Sequence, residues 1–504
     1  MGSVEWGQRP RAWQVVAITL GLVVAGFLLR WYLVGRSIHQ DSLLWFERSQ
    51  EFWRALARHR WHGTYQAPHP GVPMMWIAGF WLQLHGLLSS HINTQGVLAI
   101  KLPGVIVGTL AAALTFPLLL ALLGKSQWRP ALVLGVLFTT EPVLVQESRI
   151  GHLDMTALGF AWLGMLLALI AYEHNRRLAL LAGVCFGFSA LTRLSIAALP
   201  IALLSILFAG TALTKFRDRR GLWVALISGL STLITIYAFW PATWSHPVDI
   251  VHRALTQSTD LIGRKRAASA GEMYGSFLLP RPTPETFVLA LLGLGVSALS
   301  FARPLRKHFA LLALAILPYL IVVLLTPKKS VRYALPVVPI LLMLATLGVE
   351  WLAQRIGRLR RVTTVALTSA LGLATAGRFA HAAALLPTSA QCTPWPGVDC
   401  TRPDRMYFVR DVGRAIRDDW RDQQGEGSPR VYGGAARQLA PWVPLKTVNR
   451  ARRADYLVIW DVDFDDAEKG TLGRAARREY ARRGAEIAVI RDEGAVVARV
   501  YRRR

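Results

Sequence analysis

Long apolar stretches alternate with short charged ones along the whole chain, and this alternation sets the architecture. Runs of Leu, Ala, Val, Ile and Gly begin near Trp13, Val97, Ala131, Met155, Leu178, Ser195, Leu222, Phe287, Phe309, Tyr333 and Val362, with charge confined to their flanks. About 20 residues at about 1.5 Å of rise each cover the roughly 30 Å of bilayer hydrocarbon. With no water to bond to, such a segment must satisfy its own backbone as a helix. The pattern predicts about eleven membrane spans, of which the third is short and the fifth and sixth nearly touch.

Basic clusters orient the spans. Lys125 with Arg129, Arg176 with Arg177, and the stretches 215–220, 303–307 and 355–361 fall on alternate sides, and loops rich in Lys and Arg stay cytoplasmic. The N-terminus is therefore expected in the cytoplasm and residues 381–504 outside it. Cys392 and Cys400 fall in that outer segment, where an oxidising compartment permits a disulfide, whereas Cys185 lies within a span and reads as a small core residue.

Two of the outer loops, about 35–95 and 241–286, are too long to be simple connections. In the first, residues 41–59 predict an amphipathic interfacial helix, with Glu47, Glu51, Arg54 and Arg58 on one side and Trp45, Phe52 and Leu56 on another. A second apolar piece, 74–88, carries Trp76 and Trp81. After about residue 387 the composition turns charged. Helix-like stretches at 408–420 and 473–483 and strand-like ones at 456–460, 486–490 and 496–501 predict a small α/β domain. The fold class expected is mainly α: a polytopic membrane helical bundle over 1–380 and an extracytoplasmic α/β domain over 381–504.

Composition narrows the function. Residues of the AVILMFWYC set make up 53% and charged residues only 18%, with a mean hydropathy of +0.34; soluble domains carry about a quarter charged residues. Three cysteines exclude a disulfide scaffold. The net charge of +27 sits in short clusters between apolar runs, which fits membrane topology rather than a nucleic-acid groove, so no nucleic-acid partner is expected.

Ionisable groups near hydrocarbon cost about 2.5–3.5 kcal/mol on insertion scales and point to function. Four stretches place such groups on one predicted side: Asp41 after the first span; His69 in the Pro-rich turn 67–73; Glu147, Arg149, His152 and Asp154 before the fourth span; and Lys328, Lys329, Arg332 and Tyr333 before the tenth. Cations suited to hold a phosphate stand with carboxylates suited to take a proton. Structural roles compete with this one. Asp41 and Asp154 suit helix caps, Arg149 a partner in Glu147 or Asp154, His69 a turn, and Lys328 and Lys329 snorkelling flanks. Trp244, His246 and Asp249 in the second long loop suit a substrate entrance, and residues 264–266 a solvated turn. Asp461 and Asp463 sit in a tail too short for a nucleotide-sugar fold. No cluster has metal-ligand spacing, so neither metal nor other cofactor is expected.

The ordered set of an acid after span one, the turn His69-Pro70-Gly71, Arg149 followed five residues later by Asp154, and Arg332-Tyr333 with Pro336 and Pro339 resembles the GT-C glycosyltransferases over residues 13–380. It is most similar to glycosyltransferase family 39, which includes the protein O-mannosyltransferases and the bacterial lipid A aminoarabinose transferase. The resemblance implies an inverting membrane glycosyltransferase of the bacterial inner membrane. Its donor would be a polyprenyl-phosphate-linked sugar and its acceptor an extracytoplasmic protein, lipid or glycan. Asp41 matches the acid proposed as catalytic base, although the family's Asp-Glu pair is Asp41-Ser42 here. Asp154 matches the second acid, and His69 stands where a phosphate-contacting lysine occurs. Arg149, Lys328, Lys329, Arg332 and Tyr333 would hold the donor phosphate, with His152, Trp244 and His246 lining the cavity. The rival reading is a transporter for lipid-linked sugars, which usually has two matching halves and charges at mid-membrane; the sequence has neither.

Overall fold

A computed structural model describes residues 10–32, 34, 40–88, 94–213, 219–263, 284–299, 304–325, 335–355, 368–370, 372–373, 405–423, 429–432, 446–447, 455–460, 484–492 and 495–503. In chain order its helices are α1 (Ala12–Trp31), α2 (Gln40–Ala57), α3 (Val72–Leu84), α4 (Thr94–Leu123), α5 (Trp128–Thr140), α6 (Pro142–Arg149), α7 (Leu153–Glu173), α8 (Leu178–Thr192), α9 (Ala198–Leu213), α10 (Arg220–Phe239), α11 (Ala242–Ser245), α12 (Pro247–Gly263), α13 (Pro284–Leu299), α14 (Pro304–Leu325) and α15 (Val337–Arg355). Ten of the eleven apolar runs coincide with these helices. The run near Val362 falls largely outside the described residues.

Among the described residues, five helices are long and apolar enough to cross a membrane, or six if the pair α5–α6, bent by 47°, is one span. Several shorter apolar helices join them, and the chain is a multi-pass membrane protein. The short third run is thus a helix broken after Thr140. Pro142 has no N–H to continue the helix, and Glu141 before it takes the extended backbone that proline imposes (φ −59°, ψ 117°). The near-contact of the fifth and sixth runs also has a cause: Arg193 is extended (φ −155°, ψ 110°) and ends α8.

Small residues let the helices approach, as they do where no hydrophobic force acts between helices in lipid. A Cβ on Gly104 or Gly108 of α4 would fall 2.5 Å or less from Ser148 of α6, and one on Gly183 of α8 would fall 2.4 Å from the Ser228 carbonyl of α10. Ser228 and Ser231 hydroxyls donate to the α8 carbonyls of Ala179 (3.0 Å) and Leu180 (2.8 Å). Leu226, Leu230, Leu233 and Tyr237 of α10 stay exposed, the pattern of a lipid-facing stripe.

The long loops fold over one end of the bundle. The helix expected at 41–59 is present as α2, and Trp45 and Phe52 of its apolar side are buried. Trp53 donates to the Met75 carbonyl of α3 (2.9 Å) and covers Gly79, where no Cβ fits. The polar side of α2 carries the exposed pair Glu51–Arg54 (3.1 Å). The second loop meets the first where Trp244 packs on Trp61, with ring centroids 5.0 Å apart. Trp76 of α3 donates to the Phe239 carbonyl at the end of α10 (2.9 Å).

The tail combines α16 (Arg405–Asp422) with strands β1 (Arg430–Tyr432), β2 (Lys446–Thr447), β3 (Tyr456–Trp460), β4 (Gly484–Asp492) and β5 (Ala495–Arg503) in the order β2-β1-β3-β5-β4. The β1 pairings are parallel, and β3–β5 and β4–β5 are antiparallel. The pieces expected at 408–420, 456–460, 486–490 and 496–501 match α16, β3, β4 and β5. The stretch 473–483, Cys392, Cys400, Asp461 and Asp463 lie outside the described residues. Val412, Ile416, Val431, Tyr456, Val458 and Val500 form the buried side of this unit and belong to the same apolar cluster as α2 and α3.

Candidate functional site

The candidate site lies at that same end, where α6 stops and α7 starts. Arg149 ends α6, Gly151 turns the chain with a positive φ of 74°, and Asp154 falls in the first turn of α7. The whole stretch from Pro142 to Gly159 is buried. A charge there is tolerated only with a partner.

Asp154, 2% exposed, is ion-paired with Arg193, the residue that ends α8. His152 Nδ1 stands 3.9 Å from the other carboxylate oxygen. The α7 cap position belongs to His152, and Asp154 makes no capping bond, so the capping role weighed for Asp154 is replaced by an ion pair. The Arg149 guanidinium donates to the Tyr32 carbonyl just past α1. Lys101 of α4, also buried, donates to the Val34 carbonyl two residues on (2.6 Å). Two buried cations therefore grip the strand of chain that leads from α1 to α2.

That grip bears on Asp41, the second residue of α2. Its side chain is outside the described ones, but its neighbour is not: the buried Ser42 hydroxyl donates to the Ile150 carbonyl (3.3 Å). Ser42 Oγ also lies 3.3 Å from where a Gly151 Cβ would stand. The backbone at Asp41 is thus pinned to the turn between Arg149 and Asp154. The third stretch joins through Gly71. Its N–H donates to the Thr192 carbonyl, next to Arg193 (3.3 Å), and a Cβ there would meet the Trp45 ring at 2.3 Å and Leu153 at 3.3 Å. His69, two residues earlier, is half-buried in the bend before it.

Three of the four expected stretches converge. The fourth, with Lys328, Lys329, Arg332 and Tyr333, lies outside the described residues, as do residues 264–266. Trp244 and His246 are exposed, and Trp244 packs on Trp61 rather than on the buried carboxylate. Close by, Tyr65 stacks on Trp240 (6.0 Å) and donates to Gln257 of α12 (2.8 Å). Burial raises the Tyr65 pKa, opposed by the Arg253 guanidinium over its ring. Among the described residues no group of three His, Cys, Asp or Glu is placed to hold a metal.

Sequence reasoning missed Arg193, Lys101, Arg30 and Glu141. Each is a charge inside or between apolar runs, the signal that singles out Arg149 and Asp154, yet each was absorbed into a span or its edge. Glu141 is buried at the α5–α6 break and accepts from Thr286 of α13 (3.0 Å).

No family model and no curated protein matches the chain. Solved structures do. ArnT from Cupriavidus metallidurans bound to undecaprenyl phosphate is similar with a TM-score of 0.57 at 15% identity, covering 97% of this chain and 98% of that one. Its apo state gives 0.56 at 15% identity over 96% and 97%. The Archaeoglobus fulgidus oligosaccharyltransferase tethered to an acceptor peptide gives 0.51 at 12% identity over 98% of this chain and 74% of that one. The chain has the fold these proteins share, the polytopic GT-C fold.

Proposed function

We propose that the protein is an inverting membrane glycosyltransferase that moves a sugar from a polyprenyl-phosphate-linked donor to an acceptor outside the cytoplasm. The observation that carries this reading is the bond from Ser42 to the Ile150 carbonyl, which sets the start of α2, and with it Asp41, against the buried turn bearing Arg149, His152 and Asp154. The polyprenyl part of the donor is supported by the likeness to a structure holding undecaprenyl phosphate.

In this scheme an acceptor hydroxyl attacks the anomeric carbon from the face opposite the phosphate. Asp41 takes the hydroxyl proton, a contribution worth about 10²–10⁴-fold. The bond from the anomeric carbon to phosphate oxygen breaks with its electron pair, leaving polyprenyl phosphate. That leaving group needs charge neutralisation rather than a proton. Arg332, Lys328, Lys329 and His69 supply it, arginine through its planar fork. Arg149 and Asp154 hold the floor of the site. The end carrying α2, α3, α11, α12 and the tail is the outer one, with the N-terminus in the cytoplasm.

The test is turnover of purified protein in lipid nanodiscs given undecaprenyl-phosphate-linked mannose, glucose or aminoarabinose with an extract of envelope acceptors. Release of undecaprenyl phosphate and a product of inverted anomeric configuration are expected from one donor. No release from any donor, with undecaprenyl phosphate itself failing to bind, overturns the reading.

A further inference from the structure

Arg30 lies near the end of α1 and is fully buried, a costly place for a guanidinium. It takes no part in the chemistry above. Its partners among the described residues are carbonyls and a hydroxyl. Nη1 donates to Gly26 (3.1 Å) and Thr139 (3.2 Å), Nη2 to Phe138 (3.4 Å), and Nε to the Ser148 hydroxyl (3.2 Å).

The identity of these acceptors follows from the break between α5 and α6. The last carbonyls of any helix lack partners within it. Here the residue four past Phe138 is Pro142, which has no N–H to give. Phe138 and Thr139 are therefore orphaned acceptors in a dry interior, where an unmet carbonyl costs about 1–3 kcal/mol. Arg30 answers both. Through Nε it also holds Ser148, the residue before Arg149, on the far side of the bend. Gly108 of α4 is what makes room: a Cβ there would fall 2.4 Å from Ser148 Oγ and 3.2 Å from Arg30 Nε.

We infer that Arg30 is a positioning residue that fixes the angle of the α5–α6 break, and through Ser148 the placement of the turn carrying Arg149, His152 and Asp154. The fork geometry is required, because one head group must reach α5 and α6 at once. The role in turnover rests on the glycosyltransferase reading; the role in holding the bend does not.

The experiment uses full-length protein in nanodiscs and two variants, Arg30→Lys and Ser148→Ala. Ser148→Ala cuts the link from Arg30 to α6, together with the Ser148 hydroxyl's bond to the Leu144 carbonyl within α6, and leaves the α5 carbonyls capped, so it keeps the fold. Backbone hydrogen exchange is read over residues 143–154, with α8 to α10 as internal control. Turnover is read as release of undecaprenyl phosphate, with kcat and KM separated. Exchange over 143–154 is expected to rise at least tenfold in both variants with the control helices unchanged, and kcat to fall at least tenfold at unchanged donor KM. Unchanged exchange over 143–154 overturns the inference. So does a kcat equal to wild type beside a faster-exchanging turn, or a uniform rise in exchange across the bundle. A faster turn in a chain whose wild type releases no undecaprenyl phosphate leaves the bend assignment standing and removes the glycosyltransferase reading instead.

Discussion

Arg193, at the end of α8, closes on Asp154, in the first turn of α7, and the two charges meet where both are almost wholly shielded from solvent. The pair ties together helices that also pack through Phe160 and Phe188, with ring centroids 5.2 Å apart, and it fixes a carboxylate beside the turn to which Ser42 is bonded. A buried pair of this kind is poor evidence for net stability, since the desolvation of two ions offsets their attraction. It is good evidence for a defined geometry.

A double-mutant cycle separates those two contributions. Arg193→Met alone strands a buried carboxylate and is expected to destabilise the protein by about 3–5 kcal/mol. Asp154→Leu alone strands the guanidinium at a similar cost. Combining them should recover most of the lost stability, because both charges leave together, while undecaprenyl phosphate release stays at background. Melting curves in detergent, read beside turnover, check both halves. Additive losses of stability would show that the two side chains do not depend on each other.

Asp41→Asn is expected to lower turnover by about 10²–10⁴-fold, the span of a lost general base, with undecaprenyl phosphate binding and melting temperature at wild-type values. The amide keeps shape and hydrogen-bonding capacity but takes no proton. Wild-type release of undecaprenyl phosphate by this variant would move the base elsewhere, Asp154 being the carboxylate on the turn against which the start of α2 is bonded.

Much of this was legible in the sequence, for a physical reason. Hydrocarbon forces each apolar run into a helix, so the starts near Val97, Met155 and Leu222 needed no tertiary knowledge, and the β-rich pieces of the tail carry their own period. Asp41, His69, Arg149 and Asp154 stood out because a charge beside a span is costly. What the pattern did not carry was pairing. Arg193 reads as the gap between two spans, and nothing local says that it faces Asp154, 39 positions earlier. The cover of the apolar face of α2 was unreadable for a related reason: Trp45 and Phe52 at helical spacing look the same whether lipid or α3 lies over them.

The tail offers a pH-dependent check. Tyr456 is fully buried on β3 and donates to Asp419 of α16 (2.7 Å), which also accepts from Arg502 of β5 (2.8 Å). Burial raises its pKa first, and the bond to the Asp419 carboxylate raises it further. Because the folded state holds the proton more tightly than the unfolded chain, whose tyrosine titrates near 10, the stabilisation is fully present below about pH 10. It is lost as the pH rises through the folded value. Hydrogen exchange at β3 and β5 should accelerate above about pH 10 in wild type. In Tyr456→Phe that alkaline loss should vanish, at the cost of a bond worth about 1 kcal/mol at neutral pH. An identical alkaline profile in the two proteins would remove Tyr456 as its source.

The last prediction concerns the smallest residue of the site. Gly71 holds φ at +60° where the Pro-rich turn enters α3, a conformation that costs a residue with a Cβ about 1–2 kcal/mol. There is also no room, since the added methyl would stand 2.3 Å from the ring of the buried Trp45 of α2 and 3.3 Å from Leu153 of α7. Overpacking adds about 1–3 kcal/mol. Gly71→Ala should therefore destabilise by at least about 2 kcal/mol, and the strain has two ways out. Either Trp45 moves and carries α2, with Asp41, off the Ile150 carbonyl, or the bond from the Gly71 N–H to Thr192 breaks and frees the segment beside Arg193. Both lower turnover through geometry, with no reacting group removed. Pairing Gly71→Ala with Trp45→Leu should restore part of the stability if the ring clash dominates, and none if the backbone angle does. Melting temperatures of the two proteins decide between them, and a Gly71→Ala variant as stable and as active as wild type would mean that the turn does not hold the three stretches together.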